Sequence, residues 1–87
     1  MPDLIEKAVQ ELSPGTSQFK VLTFLAFKGQ SLPSTISEDT GIPAGTVRPA
    51  LRALLEKGYV KQQEDGTYRS TIPFTDIVSH LYNQNKR

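Results

Sequence analysis

The sequence predicts a mostly α-helical single domain of 87 residues that carries one small β-hairpin. Three observations predict it. Apolar residues recur at helical spacing in four or five separate segments. Near residue 59 the period changes to two, in the β-prone runs "YVKQQ" and "TYRSTI", joined by "EDG", where Asp65-Gly66 is a hairpin-turn signal. No internal repeat, low-complexity tract or long linker divides the chain.

A first flanking helix is expected over residues 3–12, where Leu4, Ile5, Ala8, Val9 and Leu12 form an apolar stripe opposite Glu6, Lys7, Gln10 and Glu11, with Asp3 as N-cap. A core helix is expected over 14–28. Ser13 caps it, Pro14 takes its first position, and Phe19, Val21, Leu22, Phe24, Leu25 and Phe27 run through it to Gly29. It is apolar over much of its circumference, so the three phenylalanines are assigned to the core. An extended stretch from Gln30 to Leu32 precedes a short helix, Pro33 to Thr40, ended by Gly41 as a left-handed cap.

The next helix, Pro43 to Lys57, buries Val47, Leu51, Leu54 and Leu55 and stops at Gly58. Pro49 lies among those residues. The favoured account is that "PAGT" forms a loose turn and the regular helix starts near Thr46, which puts the proline in a first turn where N–H groups have no partner. The other account is a proline inside the helix, with the carbonyl of Gly45 deprived of its donor. A hairpin is expected over 59–72, with Tyr59 and Tyr68 as cross-strand packing residues. Phe74, Ile77, Val78, Leu81 and Tyr82 then mark an amphipathic helix over 74–84, followed by the polar tail "NQNKR".

Composition narrows the function. Ten Lys and Arg against nine Asp and Glu give a net charge of +1, so any binding to nucleic acid depends on where charge sits, not on its total. With no cysteine there are no disulfides and no thiolate metal sites. A lone histidine, His80, has no cysteine or clear carboxylate partner, so no metal is expected. No nucleophile–base pair or phosphate loop is found; "GIPAGT" does not follow a buried strand and lacks the Lys-Ser/Thr of a P-loop. The chain therefore reads as non-enzymatic, without a cofactor. No apolar run approaches the ~20 residues of a membrane span, and the start "MPDLIEKAVQ" is unlike a signal peptide, so a cytoplasmic location is the default reading. The Met start and polar tail favour a whole chain over an excised domain.

The spacing from Pro33 to Ala53 suits a helix-turn-helix. Ser37 is the small residue where the second helix crosses, and Gly41, four residues on, tolerates positive φ. Ile36, Ile42, Val47, Ala50 and Leu51 hold both helices to the core, and the hairpin that follows adds a wing. With "LSPGTSQFKVLTFLAFKG", "LPSTISEDTGIPAGTVRPALRALLEKGYV" and "QQEDGTYRS", about residues 12–70, the sequence resembles winged helix-turn-helix proteins, in particular the MarR-like and TrmB-like transcription regulators.

The resemblance implies binding to double-stranded DNA, with the Pro43–Lys57 helix in the major groove and the hairpin on the adjacent backbone or minor groove. Carried over by position, the DNA-facing residues are Gly45, Thr46, Arg48, Pro49 and Arg52, the set a helical wheel also places opposite Val47, Leu51, Leu54 and Leu55. Arginine can pair with guanine or contact phosphate. Ser34 and Thr35 are placed for phosphate contact, and Lys61, Gln63, Thr67 and Arg69 are the wing candidates. A homodimer is expected, its interface drawn from the terminal stripes, Leu4, Ile5, Ala8, Val9, Leu12, Phe74, Ile77, Val78, Leu81 and Tyr82.

Each assignment has a plainer counterpart. Arg48, Arg52, Lys61 and Arg69 can be solvated surface charges, and Ser34 and Thr35 local capping groups. The wing tip, Glu64-Asp65, is acidic where DNA-binding wings more often carry Arg or Lys, and the short helix before the turn carries Glu38-Asp39. The acidic wing and the near-zero net charge favour an alternative, a winged-helix module whose partner is a protein in a transcription, replication or chromosome-organising complex.

Overall fold

The structure is a computed structural model that describes residues 4–12 and 16–85, with side chains from 7 to 12 and from 16 to 83. The elements are α1 (Leu4–Glu11), α2 (Ser17–Lys28), α3 (Pro33–Thr40), α4 (Ala44–Lys57), β1 (Val60–Gln62), β2 (Tyr68–Ser70) and α5 (Phe74–Asn85). The expected caps Asp3 and Ser13, and Pro14, lie outside the described residues, as do the side chains of Leu4 and Ile5. The core helix begins at Ser17 instead of residue 14. Thr16 is its N-cap, and its hydroxyl accepts the orphan N–H of Phe19 at 3.3 Å.

The core gathers around α2. Val21, Leu22 and Leu25 of α2, Ile36 of α3, Val47, Ala50, Leu51 and Leu54 of α4, and Ile77 of α5 are all buried in one cluster. The tight turn between α3 and α4 follows from its chemistry. Gly41 takes φ 77°, ψ 1°, and its N–H reaches the Ser37 carbonyl. The Ser37 hydroxyl donates to the Ile42 carbonyl at 2.7 Å, so a small polar side chain stitches the two helices where they meet. β1 and β2 pair antiparallel, with Val60 opposite Ser70, Lys61 opposite Arg69 and Gln62 opposite Tyr68. The expected extended stretch survives as a single bridge, Ser31 exchanging two backbone hydrogen bonds with Tyr68 at 3.0 and 2.9 Å. The order and pairing are those of a winged helix.

Four expectations are corrected. Phe27 is 66% exposed, because it faces outward on α2, where its ring lies beside that of Phe74, centroids 5.1 Å apart. Leu55 is 39% exposed, since it follows the inward Leu54 around the helix. The Tyr59 side chain is not a cross-strand packing group. The residue precedes β1, its side chain is fully buried, and its hydroxyl donates to Glu11 Oε1 at 2.8 Å. Finally, Ala8, Leu12 and Ile77 of the terminal stripes lie in the monomer core, while Val9 and Leu81 pack half-buried against it. One small domain can absorb both stripes because α1 and α5 pack on each other and α5 on α2.

Burial, and next the Glu11 carboxylate that accepts its proton, push the Tyr59 phenol up to about 12. The unfolded chain ionises there first, near 10, so Tyr59 contributes stability that is complete below pH 10 and is lost as pH rises through 12. Wild-type protein should therefore lose more stability between those pH values in denaturant titrations than Tyr59→Phe does. Leu51→Ala, which empties a fully buried site, should cost about 2–5 kcal/mol in the same titrations at pH 7. Gly41→Ala should cost about 1 kcal/mol or more from its left-handed φ.

Candidate nucleic-acid interface

Burial splits α4 into two faces. Val47, Ala50, Leu51 and Leu54 point into the core, and Gly45, Thr46, Arg48, Pro49 and Arg52 are all exposed on the other side. Arg48 and Arg52, one turn apart, line a shallow groove of about 260 Å³ with Pro49, Ala53 and Glu56. Neither arginine has an ion-pair or hydrogen-bond partner among the described residues.

The start of this helix is built against helix propensity. Its regular hydrogen bonding begins at once, since the Pro43 carbonyl accepts from Thr46 at 2.8 Å and from Val47 at 3.0 Å. Pro49 therefore lies inside the helix, past the first turn, which corrects the favoured account of a loose "PAGT" turn. It denies the Gly45 carbonyl its usual donor, at a cost of about 3 kcal/mol relative to alanine. Gly45 has no positive φ, and a Cβ there would meet nothing within 4 Å. Glycine at such a site costs about 1 kcal/mol relative to alanine. Packing within the chain requires neither residue. Both sit on the exposed face and, with Thr46, form one wall of a cleft of about 590 Å³. The cleft is also lined by Thr16, Ser17 and Gln18 at the start of α2, by Glu11 of α1 and by Lys57 at the end of α4. Sequence reasoning missed these residues; the capped start of α2 was the one local signal for them.

Ser34 and Thr35 occupy the first turn of α3 behind Pro33, and both are exposed. The N-cap, Leu32, offers no side-chain hydrogen bond. The capping role is not seen for Ser34 and Thr35: their hydroxyls form no hydrogen bond among the described residues, which leaves hydroxyls and backbone N–H groups facing solvent at a helix start.

On the wing the four expected residues divide into two pairs. Lys61 and Arg69 are directly opposite in the ladder and exposed, so two like charges share one face of a two-stranded sheet. Such a pairing is unfavourable unless an anion lies over it. Gln63 and Thr67 instead brace the hairpin. Gln63 Nε2 donates to Gln30 Oε1 at 2.6 Å and to the Thr67 hydroxyl at 3.3 Å. The Thr67 hydroxyl in turn donates to Asp65 Oδ1 at 2.5 Å, and the Thr67 N–H does so at 3.0 Å. These bonds hold the Asp65 carboxyl below the usual carboxylate range, the hydroxyl contributing most, so the exposed wing tip stays anionic. Gln30, on the α2–α3 connection, had no signal in the sequence because its partner is 33 residues away.

Among the described residues no group of three or more His, Cys, Asp or Glu is placed to hold a metal ion, and no helix is long and apolar enough to cross a membrane. His80 lies on α5 with its Nε2 buried and without a hydrogen-bond partner among those residues. Comparison with family models matches residues 15–81 to the family described as "Sugar-specific transcriptional regulator TrmB". No curated protein matches the chain.

The exposed face carries a stability cost that substitution can recover. Gly45→Ala should raise the unfolding free energy by about 0.5–1 kcal/mol, and Pro49→Ala by about 1–3 kcal/mol, in urea or thermal unfolding. Lys61→Glu, which sets a carboxylate opposite Arg69, should leave the hairpin as stable or up to about 1 kcal/mol more stable.

Proposed function

Since the chain belongs to the TrmB family of transcriptional regulators, we propose that it binds double-stranded DNA sequence-specifically, as a non-enzymatic homodimer in the cytoplasm, with α4 as recognition helix. The observation that carries this reading is the outward face of α4. Gly45 and Pro49 weaken the helix where the fold gains nothing from them, beside two unpaired arginines one turn apart. A helix start without a Cβ at residue 45 can approach a groove floor closely, and Arg48 and Arg52 can pair with base edges or phosphates there. Ser34 and Thr35 supply hydroxyls and N–H groups for a phosphate at the start of α3. Lys61 and Arg69 supply the cationic face of the wing on the adjacent backbone. Gln63 and Thr67 act there as the brace that holds that face.

The homodimer rests on the exposed side of α5. Phe74, Val78 and Tyr82 follow one another at single-turn spacing, Val78 and Tyr82 are 45% and 62% exposed, and Phe27 of α2 packs on Phe74. An almost wholly apolar groove of about 560 Å³ continues from Phe27 and Phe74 along Phe19, Thr23 and Phe24. We assign it to a second copy of the chain, because a two-fold pair sets two recognition helices about one turn of duplex, ~34–36 Å, apart. Leu4 and Ile5 are proposed to extend the same interface. The acidic wing tip favours one second reading, in which the partner is a protein surface of positive charge.

Titration into random-sequence duplex at several salt concentrations separates the two. A DNA reader shows affinity falling linearly on a log–log plot with salt, and Arg48→Ala and Arg52→Ala each weaken binding by about 1–3 kcal/mol without changing thermal unfolding. Gly45→Ala should weaken binding while it stabilises the fold. Salt-insensitive or absent binding in the wild type would sink the DNA reading and leave the protein-partner one. Sedimentation at micromolar concentration should show a dimer that Phe27→Glu converts to a folded monomer; a monomeric wild type rules out the paired arrangement.

A further inference from the structure

Tyr59 joins three parts of the molecule at one point. It follows Gly58, the left-handed cap of α4, and its N–H donates to the Leu54 carbonyl at 3.0 Å. Its own carbonyl accepts from Thr71 at 2.9 Å, and the Thr71 hydroxyl donates to the Gly58 carbonyl at 2.9 Å, so the end of the recognition helix is tied to the end of the wing. Its side chain is fully buried, and the hydroxyl reaches Glu11 Oε1, in the last turn of α1, at 2.8 Å. Glu11 Oε2 faces Lys57 Nζ at 3.7 Å. The Tyr59–Glu11 side-chain hydrogen bond ties the end of α1 to the junction of α4 and the wing.

Stability alone does not account for the choice of tyrosine. Phenylalanine would fill the same buried space without a polar group to satisfy, and the half-exposed Lys57–Glu11 pair adds little. What the hydroxyl adds is direction. The apolar packing of the α1/α5 layer on α2 tolerates a small slide or roll, because dispersion and burial are not directional. A hydrogen bond to one oxygen of one carboxylate is.

We infer that the Glu11–Tyr59 hydrogen bond, steadied by Lys57, is a positioning clasp that fixes the α1/α5 layer in register with α4 and the wing. It rests on the DNA-binding homodimer proposed above. The α5 face carries the partner copy, so any play between that layer and α4 changes the separation of the two recognition helices. Glu11 and Tyr59 touch no DNA in this arrangement; they set where the DNA-reading helix stands.

Duplex binding by the full chain tests it. Tyr59→Phe and Glu11→Ala should each stay folded and dimeric, yet bind random-sequence duplex about tenfold more weakly. Their salt dependence should also be shallower, by about one slope unit for each phosphate contact that the displaced protomer gives up. The double variant should be no worse than either single one, since both remove the same bond. Glu11→Gln keeps an acceptor for the Tyr59 hydroxyl while it loses the Lys57 ion pair, and should bind clearly more tightly than Glu11→Ala. A purely structural role predicts lower unfolding temperatures with the wild-type salt slope intact, and that result overturns the clasp alone. A wild type without salt-sensitive duplex binding overturns the DNA reading and the clasp with it. A second arm covers misfolding: if Tyr59→Phe unfolds, Glu11→Gln against Glu11→Ala still compares clasp kept with clasp lost.

Discussion

Everything in this small domain hangs on the inward stripe of α4. Val47, Ala50, Leu51 and Leu54 dock against α2, and that contact fixes which way the rest of the helix faces. A helix has only one circumference, so burying that stripe pushes Gly45, Thr46, Arg48, Pro49 and Arg52 outward together. α3 is held at its angle by Gly41 and the Ser37–Ile42 hydrogen bond, and the wing starts from the cap at Gly58. The orientation of the candidate DNA-reading surface is thus a by-product of core packing.

Local rules are broken on that surface and obeyed elsewhere. Good capping at Thr16, left-handed glycines at helix ends and a well-formed Asp65-Gly66 turn all agree with the fold. The exceptions are Gly45 and Pro49 in a helix and Lys61 opposite Arg69 in a ladder. Exceptions of this kind are expected where function, not folding, selects the residue. The acidic wing tip fits the same logic from the other side. It is held rigid by Thr67, Gln63 and Gln30, so its charge is presented at a fixed place instead of on a loose loop.

The terminal helices show how an amphipathic stripe can mislead about partners. Read as sequence, Leu4 to Leu12 and Phe74 to Tyr82 offer two apolar faces, more than a domain of this size was expected to bury. In the structure Ala8, Leu12 and Ile77 turn inward and close the core. Among the described side chains of the two stripes, Val78 and Tyr82 on α5 stay exposed beside half-buried Phe74, and Phe27 of α2 joins them.

The sequence by itself determined the element order, the helix-turn-helix spacing, the hairpin turn and the outward set on α4. Those depend on local periodicity, on glycine's access to positive φ and on which residues can cap, and each is legible within a few residues. Only the tertiary structure decided that Phe27 is outside and Tyr59 inside, that Gln63 and Thr67 brace the wing while Lys61 and Arg69 face solvent, and that Pro49 stands within a regular helix. Those outcomes turn on contacts such as Gln30 with Gln63 and Glu11 with Tyr59, between residues 33 and 48 positions apart. A periodic pattern says that a side chain seeks burial or a hydrogen bond. Which neighbour supplies it is fixed only when the helices pack, because that choice depends on distance in space and not along the chain.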